Sequence, residues 1–306
     1  MPVYNYYYIR IQYIKVISLA CILKLLSKIP NRRFLKMKIS YEFYPPKDMN
    51  FKKVVEEYAR LSIFGPRFIS ITYGALGSSQ KNSIGLIKAF KESHNIDIVA
   101  HLTLVGKTKN QLDLIIDEFK ELGITKIVAL RGDVAEGNFL AHKEGFASTS
   151  EFVESLINSG MEVIVSAYPE PHPESSGFNF DLNLLKNKTL AGAKQSISQF
   201  CFSPHDYQRL ITAMKHHNID SELIAGIMPI YNITSLCNMA KRCGTNIPSE
   251  IINQFSDDVQ KNEEASIKIC IKQIEDLQSM GINSFHFYAL NQSELLQKIL
   301  SRINLS

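Results

Sequence analysis

The sequence predicts a single-domain α/β protein, an eight-stranded (β/α)8 TIM barrel. Short β-branched or aromatic runs alternate with amphipathic stretches of helical period from residue 38 onward. There are eight such runs, and eight strand–helix units in about 270 residues match the size of this barrel. The runs are almost continuously apolar, as strands covered on both faces require.

Each of the eight runs is predicted as one strand. Alternation of strands with helices makes the strands parallel and the crossovers between them right-handed. The runs lie at residues 38–45, 67–74, 97–105, 124–133, 161–169, 196–202, 222–230 and 282–290.

The segments between the runs have the pattern of amphipathic helices, and "TKNQLDLIIDEFKELG" is a clear example. Thr108 is predicted as its N-cap and Gly123 as its C-cap. The stretches "SPHDYQRLITAMKHHN" and "EEASIKICIKQIEDLQSMG" have the same character. The apolar stripe of the first helix consists of Leu112, Ile115, Ile116 and Phe119, at three- and four-residue spacing.

A doubly wound open sheet is the competing architecture. Such sheets often carry a Gly-rich phosphate loop after the first strand. Here the first run ends in "YPPKD", and proline has no N–H group to donate to a phosphate. The sequence also contains neither a G-x-G-x-x-G nor a Walker motif, so the barrel is favoured.

The first 36 residues differ from the rest in composition. They hold seven of the 34 Lys and Arg residues and none of the 30 Asp and Glu residues. The apolar stretch at 14–26 is interrupted by Lys15 and Lys24 and is shorter than the ~20 residues of a membrane span. We expect residues 1–36 to be an extension outside the fold, with Met37 as an alternative start, and residues 37–306 to form the barrel.

The composition of the barrel segment excludes some partners. Without the N-terminal bases, acids slightly outnumber bases, which gives no support for a nucleic-acid surface. No second segment has the length of a membrane span. The five cysteines form no CxxC pair, so we expect reduced, buried thiols in a cytoplasmic protein.

Polar side chains follow six consecutive predicted strands. Because a barrel gathers the carboxyl ends of its strands at one mouth, these residues predict a common site. Taken singly, Glu42 could pair with a buried base and His101 could be a core histidine. Arg131 and Asp133 could form a local ion pair. The residues are Glu42; Thr72 with Tyr73; His101; Arg131 with Asp133; Tyr168 with Glu170 and His172; and Gln199.

Other chemistries have less support in the sequence. No HxH or HExxH spacing is present, so no metal site is expected. The absence of a G-x-S-x-G elbow argues against a serine hydrolase. The stretch "GALGSSQ" could bind an anion through N–H groups at a helix start, although it is weak as a motif.

Eight sequence blocks resemble, in order and spacing, the catalytic barrel of methylenetetrahydrofolate reductases. The resemblance covers about residues 38–295, and eight collinear blocks make it specific. The chain resembles the short bacterial type of this family, which consists of the catalytic barrel alone. The blocks are "SYEFYPPK", "FISITYGALGS", "HLTLVG", "GITKIVALRGD", "SAYPEPHPES", "AGAKQSISQFCF", "AGIMPI" and "FHFYALN".

The resemblance implies a flavoprotein of one-carbon metabolism and methionine biosynthesis. Members of the family bind FAD in the barrel mouth, where NADH or NADPH reduces it and leaves. The substrate 5,10-methylenetetrahydrofolate then takes the place of the nicotinamide and is reduced to 5-methyltetrahydrofolate. Bacterial members form homo-oligomers, so a homo-oligomer is expected here.

The resemblance also implies roles for individual residues. Glu42 matches the general acid, and burial among apolar groups would raise its pKa and keep it protonated. Asp133 matches an aspartate that binds the pterin ring, where its charge would stabilise a cationic intermediate. Gln199 matches a residue that contacts folate and nicotinamide in turn. The implied cofactor contacts are Thr72, Tyr73, Ala75, His101, Arg131, Gly132, Asp133, Tyr168, His172, Asp181 and Lys188.

Five positions depart from the family pattern. Leu184 replaces a polar FAD contact, and Asn187 replaces a basic residue. Ser235 stands at the position of a folate-binding glutamine, and Met239 at that of an aromatic residue. Gln292 replaces an arginine in the substrate site. Because the acid and the aspartate are kept, we expect catalysis with weaker FAD retention and altered handling of the folate's glutamate tail.

Two alternative functions stay open. One is a folate- or flavin-binding barrel without turnover, which the departures motivate. The other is a different FAD-dependent barrel oxidoreductase, similar to proline dehydrogenase, against which the "EFYPPK" block argues.

Overall fold

Eight parallel strands close into a barrel in the order of the sequence, from β1 to β8. The computed structural model describes residues 37–73, 80–132 and 140–303. These residues belong to one compact unit, Met37–Leu305. The predicted (β/α)8 fold is therefore confirmed. Residues 1–36 lie outside the described part, and their interpretation as an extension stays a prediction.

Every predicted run overlaps one strand, and all eight strands end earlier than the runs. The described residues that follow the strands in these runs form loops around one mouth of the barrel. The strands are β1 (Lys38–Phe43), β2 (Ile69–Ile71), β3 (Ile98–Thr103), β4 (Lys126–Leu130), β5 (Glu162–Ala167), β6 (Gln195–Ser198), β7 (Glu222–Ile227) and β8 (Ser284–Tyr288).

Helices connect the successive strands. None of the helices in the described ranges combines the length and the apolar composition that crossing a membrane requires. The helices are α1 (Phe51–Leu61), α2 (Gln80–Ser93), α3 (Lys109–Glu121), α4 (Thr149–Asn158), α5 (Phe178–Leu190), α6 (Pro204–His216), α7 (Ile233–Cys243), α8 (Ser249–Ile252), α9 (Val259–Ser279) and α10 (Glu294–Leu300).

Helix α3 shows how local sequence sets the ends of an element. The Thr108 hydroxyl accepts from the Gln111 N–H, and the Gln111 side chain accepts from the Thr108 N–H at 2.9 Å. This capping box satisfies two N–H groups that a helix start leaves unpaired. Gly123 lies one residue beyond the C-cap, Leu122, with a φ of +68° that favours glycine. The predicted apolar stripe is buried.

Alternate residues of each strand face two different environments. In β1, Tyr41 and Phe43 face outward, where the Phe43 ring packs against Tyr58 of α1 and Phe90 of α2. Ser40 and Glu42 face the barrel interior. A separate apolar cluster occupies much of the interior, and the ring of the interior residue His286 stacks on its Phe68. This cluster consists of Phe68, Val99, Val128, Ile164, Ile197 and Ile224.

Glu222 organises the amino-terminal end of the barrel. Its carboxylate accepts hydrogen bonds from Ser284 at 2.6 Å, Gln195 at 2.7 Å and Lys38 at 3.2 Å. Arg67 approaches at 3.3 Å. Burial alone would raise the pKa of Glu222, but the hydrogen bonds outweigh burial and lower this pKa to about 2. The carboxylate thus ties β1, β6 and β8 to β7.

Replacing Glu222 should destabilise the barrel in a pH-dependent way. Glu222→Gln should lower the free energy of unfolding by about 1–2 kcal/mol at neutral pH. This figure is reduced because the side chain is partly exposed and its ion pairs are screened by solvent. Because the native pKa of Glu222 is depressed, the difference in unfolding free energy between wild type and variant should persist above pH 4.5 and vanish as the pH falls toward 2. Urea unfolding of both proteins across this pH range measures the difference.

Glu162→Gln is the matched control for this experiment. Glu162 lies on β5 at the same end of the barrel and pairs with Lys126, but its side chain is 70% exposed. Exposed ion pairs contribute little, so this variant should unfold nearly as wild type does. Equal losses in both variants would contradict the role assigned to Glu222.

Candidate active site

Glu42 lies at the carboxyl end of β1, inside the barrel mouth. In the strand pairing it is opposite Tyr288 of β8 and Ser70 of β2. Its Oε2 lies 3.6 Å from Nε2 of His101, which comes from β3. Three other strands, β2, β3 and β8, therefore supply the surroundings of this carboxyl group.

Burial keeps both groups of this contact uncharged near neutral pH. It raises the pKa of Glu42 to about 8, although 21% of the side chain stays accessible through the mouth. It lowers the pKa of His101 to about 4. A protonated carboxyl group therefore faces a neutral imidazole, and the contact is not an ion pair. Glu42 is in the protonation state that a general acid requires.

The layer below Glu42 is polar but also uncharged. The His286 ring lies between two serine hydroxyls, with Nδ1 2.7 Å from Ser40 Oγ and Nε2 3.2 Å from Ser70 Oγ. Burial, and next the neighbouring His101, lower the pKa of His286 to about 3. The histidine therefore supplies hydrogen bonds to the interior without a positive charge that would ionise the acid.

Tyr288 forms a wall of the mouth and was missed as a site residue. Its hydroxyl donates to the carbonyl of Ser198 on β6 at 2.9 Å, so the ring crosses β7. Gly226 makes this possible, since a Cβ there would lie 2.2 Å from the Ser198 oxygen and 2.9 Å from the tyrosine ring. Strict alternation along "SFHFY" from the buried Phe285 places Tyr288 inside the barrel, so the sequence held the signal.

Two buried polar atoms in the mouth have no hydrogen-bond partner among the residues that the structure describes. They are Oγ1 of Thr72, after β2, and Nε2 of His101. Buried polar atoms of folded proteins are normally satisfied, so these two are available to a bound molecule. The Tyr73 hydroxyl is also unpartnered, but its ring packs against Phe119 in the outer layer. The Tyr73 ring therefore lies in the outer layer, and its predicted cofactor contact stays a prediction.

The segment after β4 carries Arg131 and Gly132. The Arg131 guanidinium pairs with Glu174 of the β5–α5 loop at 2.7 Å and donates to the Gly132 carbonyl at 3.2 Å. Gly132 has a φ of +88°, and a Cβ there would lie 2.5 Å from Val105. The glycine is thus required for the turn that follows β4. Glu174 had not been predicted from the sequence.

The β5–α5 loop is held by Asp181. Its Oδ2 accepts from the His172 N–H at 2.8 Å and from the Ser175 hydroxyl at 2.9 Å. The His172 ring packs edge-on against Tyr168, with ring centroids 5.2 Å apart. Three residues predicted from the sequence, Tyr168, His172 and Asp181, are therefore brought together around one loop.

Lys188 reaches the interior from helix α5. Its Nζ donates to the Ser166 carbonyl at 2.7 Å and the Ser166 hydroxyl at 3.2 Å. Burial lowers the pKa of Lys188 to about 8, and Asp181 opposes part of this shift. The side chain is a buried cation beside an uncharged hydroxyl, which is a setting that favours an anionic ligand.

The other predicted residues are dispersed around the mouth. Gln199 follows β6, and its side chain accepts from the Phe200 N–H at 3.0 Å. Leu184 and Asn187 are exposed on α5, Ser235 is exposed in the first turn of α7, and Gln292 is exposed after β8. Met239 packs against the apolar cluster around Phe200 and Met228. Ala75 and Asp133 lie outside the described residues.

Comparisons with known proteins identify the family. The family model described as "Methylenetetrahydrofolate reductase" matches residues 27–304. A 5,10-methylenetetrahydrofolate reductase of Buchnera aphidicola is 33% identical over 86% of this chain and 91% of its own length. The protein of that name from Escherichia coli is 31% identical over 85% of this chain and 88% of its own. The chain belongs to the methylenetetrahydrofolate reductase family.

A solved structure supports the fold independently. A Clostridium thermocellum protein, described as binding two copies of 5-methyl-5,6,7,8-tetrahydrofolic acid, superposes with a TM-score of 0.57. It is 17% identical, and the match covers 90% of this chain and 95% of that protein. Membership of the methylenetetrahydrofolate reductase family makes the chain an oxidoreductase, and the mouth around Glu42 is its candidate active site.

The protonation state of Glu42 is directly measurable. The stretching band of a protonated carboxyl group should be present at neutral pH in wild type and absent in Glu42→Gln. Infrared difference spectra between the two proteins should show this band titrating with a midpoint near 8. Glu151→Gln is the control, because the hydrogen bond from Lys109 lowers the pKa of Glu151 and no such band should be lost. A midpoint near 4.5 would contradict the inferred burial of Glu42.

Proposed function

We propose that this protein reduces 5,10-methylenetetrahydrofolate to 5-methyltetrahydrofolate with NADH or NADPH, through FAD in a ping-pong sequence. Family membership supports the overall reaction. The observation that carries the residue-level proposal is a carboxyl group in the barrel mouth whose pKa burial raises to about 8. An enzyme that must protonate its substrate near neutral pH needs such a group.

Glu42 is the proposed general acid. The methylene carbon of the substrate is held in a five-membered ring between nitrogens 5 and 10. Transfer of the Glu42 proton to nitrogen 10 breaks the bond from that nitrogen to the methylene carbon. The resulting iminium cation at nitrogen 5 accepts a hydride at the same carbon. His101, whose pKa burial lowers to about 4, is neutral and does not compete as a proton donor near neutral pH.

The residues around the mouth fit a bound flavin. Thr72 Oγ1 and His101 Nε2 are buried and have no hydrogen-bond partner within the described ranges, and Lys188 offers a buried cation to an anionic group such as a diphosphate. When bound, FAD supplies the hydride chemistry between the nicotinamide and the folate. The chain's own contribution is to hold the cofactor through Thr72, His101 and Lys188 and to supply the proton from Glu42.

Other proposed contacts follow from the family resemblance. Arg131, Gly132, Tyr168, His172 and Asp181 complete the cofactor site. Asp133 is the proposed anion that stabilises the iminium cation. The proposed folate contacts, in addition to Asp133, are Gln199, Ser235 and Gln292.

The two half-reactions test the role of Glu42. Wild type, purified as a yellow flavoprotein or loaded with FAD, should be bleached by NADH or NADPH and reoxidised by methylenetetrahydrofolate. Glu42→Gln should keep the bleaching and slow the reoxidation by about 10²–10⁴-fold, the usual contribution of a general acid. Stopped-flow flavin absorbance measures both steps. Equal loss of both would mean that Glu42 is structural.

The same assay separates the alternative functions. A protein that does not bind FAD would be consistent with a binding barrel without turnover. Bleaching without reoxidation by folate in wild type would favour a different flavin-dependent oxidoreductase. Either result would overturn the proposed function.

Lys188 is tested through flavin affinity. Lys188→Met should weaken FAD binding by about tenfold or more, because hydrogen bonds to charged groups contribute ~1.5–3 kcal/mol. In wild type, affinity should also fall as the pH rises above 8, where Lys188 loses its charge. Fluorescence titration of the apoprotein with FAD measures both effects. Lys186→Met, on the same helix but outside this contact, is the control and should bind FAD as wild type does.

A further inference from the structure

The ladder between β1 and β8 is continued by a side chain. The backbone pairing of these strands ends at Glu42 opposite Tyr288. Two residues farther along the chain, just beyond the end of β1, Tyr44 contacts the Asn291 side chain. Asn291 Oδ1 accepts from the Tyr44 N–H at 3.0 Å, and Asn291 Nδ2 donates to the Tyr44 carbonyl at 2.8 Å. The amide group thus satisfies both backbone groups of Tyr44, as a neighbouring strand would.

The sequence after Tyr44 explains why a side chain is needed there. Pro45 and Pro46 follow, and neither has an N–H group with which to extend the backbone ladder. Tyr44 is therefore the last residue of this segment that can be held from both its donor and its acceptor before the chain turns. It is also only two residues beyond Glu42.

The backbone that presents Asn291 is in an uncommon conformation. Leu290 and Asn291 have φ values of +50° and +56°, in the left-handed region. Asparagine tolerates this region, but leucine does so rarely. Two successive left-handed residues other than glycine persist only where the surrounding contacts hold them, and such strain is concentrated at functional sites.

Contacts on both sides of the loop hold this conformation. Glu57 of α1 accepts from the Ser293 N–H at 2.8 Å and from its hydroxyl at 2.6 Å. The Tyr231 hydroxyl donates to the Gln292 carbonyl at 3.0 Å. The loop is thus fixed to α1 and to the segment after β7, and Asn291 is the part of it that faces β1.

We propose that Asn291 is a positioning residue for Glu42, which clamps the end of β1 through Tyr44 and so fixes the acid in the barrel mouth. The proposal rests on the proposed function for the role of Glu42. The clamp itself is independent of that function. Without it, the end of β1 would be held to β8 only as far as Glu42, and water would gain access to the carboxyl group.

Loss of the clamp has a predictable electrostatic consequence. Among the residues that the structure describes, the titratable groups near Glu42 are His101 from β3 and Tyr288 and His286 from β8, and the neighbouring β2 contributes the uncharged Ser70. Burial lowers the pKa of both histidines and raises the pKa of Tyr288, so all three are neutral near neutral pH. Because no charge in this set compensates, added water should shift the pKa of Glu42 down toward its ordinary value.

The test uses the full-length protein with three variants. Asn291→Gly removes the amide and keeps a residue that adopts a positive φ without strain. Asn291→Asp keeps the acceptor for the Tyr44 N–H but loses the donor to the Tyr44 carbonyl. Asn218→Gly is the matched control, since Asn218 has a φ of +52° in the connection from α6 to β7, at the opposite end of the barrel.

Asn291→Gly should slow reoxidation of the flavin by methylenetetrahydrofolate by about tenfold, a part of the 10²–10⁴-fold that a general acid contributes. Bleaching by NADH should change less than about twofold, because it does not use the Glu42 proton. The high-pH limit of the folate step should move to lower pH. Asn291→Asp should show a smaller change of the same kind, and Asn218→Gly none.

An independent readout separates this proposal from the proposed function. The carboxyl infrared band of Glu42 should titrate at lower pH in Asn291→Gly than in wild type, whether or not folate is the substrate. If wild type fails to reduce folate but the band shifts, only the proposed function fails. If the band and both half-reactions are unchanged, or both half-reactions fall equally, Asn291 is not a positioning residue. Should Asn291→Gly not fold, the same criteria apply to Asn291→Asp.

Discussion

The pairing of β1 with β8 is the constraint on which the other features of this molecule depend. It closes the barrel and brings residues from the first and last strands into register, Lys38 with Ser284 and Glu42 with Tyr288. Closure removes every strand edge, so the interior can exclude water. It also determines which side chains surround Glu42. Tyr288 and the ring of His286 come from β8, and without this pairing the carboxyl group would lie at an open strand end.

The carboxyl groups at the two ends of the barrel have pKa values shifted in opposite directions. At the amino-terminal end, Glu222 is ionised and is satisfied by hydrogen bonds from three strands. At the mouth, Glu42 has few partners, and burial raises its pKa to about 8. The difference follows from the number of donors that each carboxyl group receives, since hydrogen bonds stabilise the charged form and desolvation destabilises it. One end contributes stability, whereas the other keeps a proton available for chemistry.

Much of this arrangement could be predicted from the sequence, for identifiable reasons. The eight strands were predictable because buried parallel strands are continuously apolar, and α3 because its cap and stripe are local. Glu42 was recognisable as a charge in an apolar run. Glu174 and Asn291 were missed because their roles depend on partners far away in the chain, Arg131 and Tyr44. For Tyr288, the alternation along β8 indicates that the ring faces the interior, but not that its hydroxyl bonds to Ser198. The outward packing of Tyr73 against Phe119 depends likewise on tertiary contacts.

The contact between Tyr44 and Asn291 joins residues 247 positions apart, nearly the full length of the barrel segment. During synthesis on the ribosome, β1 is among the first parts of the barrel to emerge and β8 is among the last. Until almost the whole chain has been translated, Glu42 therefore lies on a strand that lacks β8, one of its two neighbours. Contacts of such long range form late and slow the folding of a chain. A nascent chain released before residue 291 would carry Glu42 but would lack the side chain that holds Tyr44.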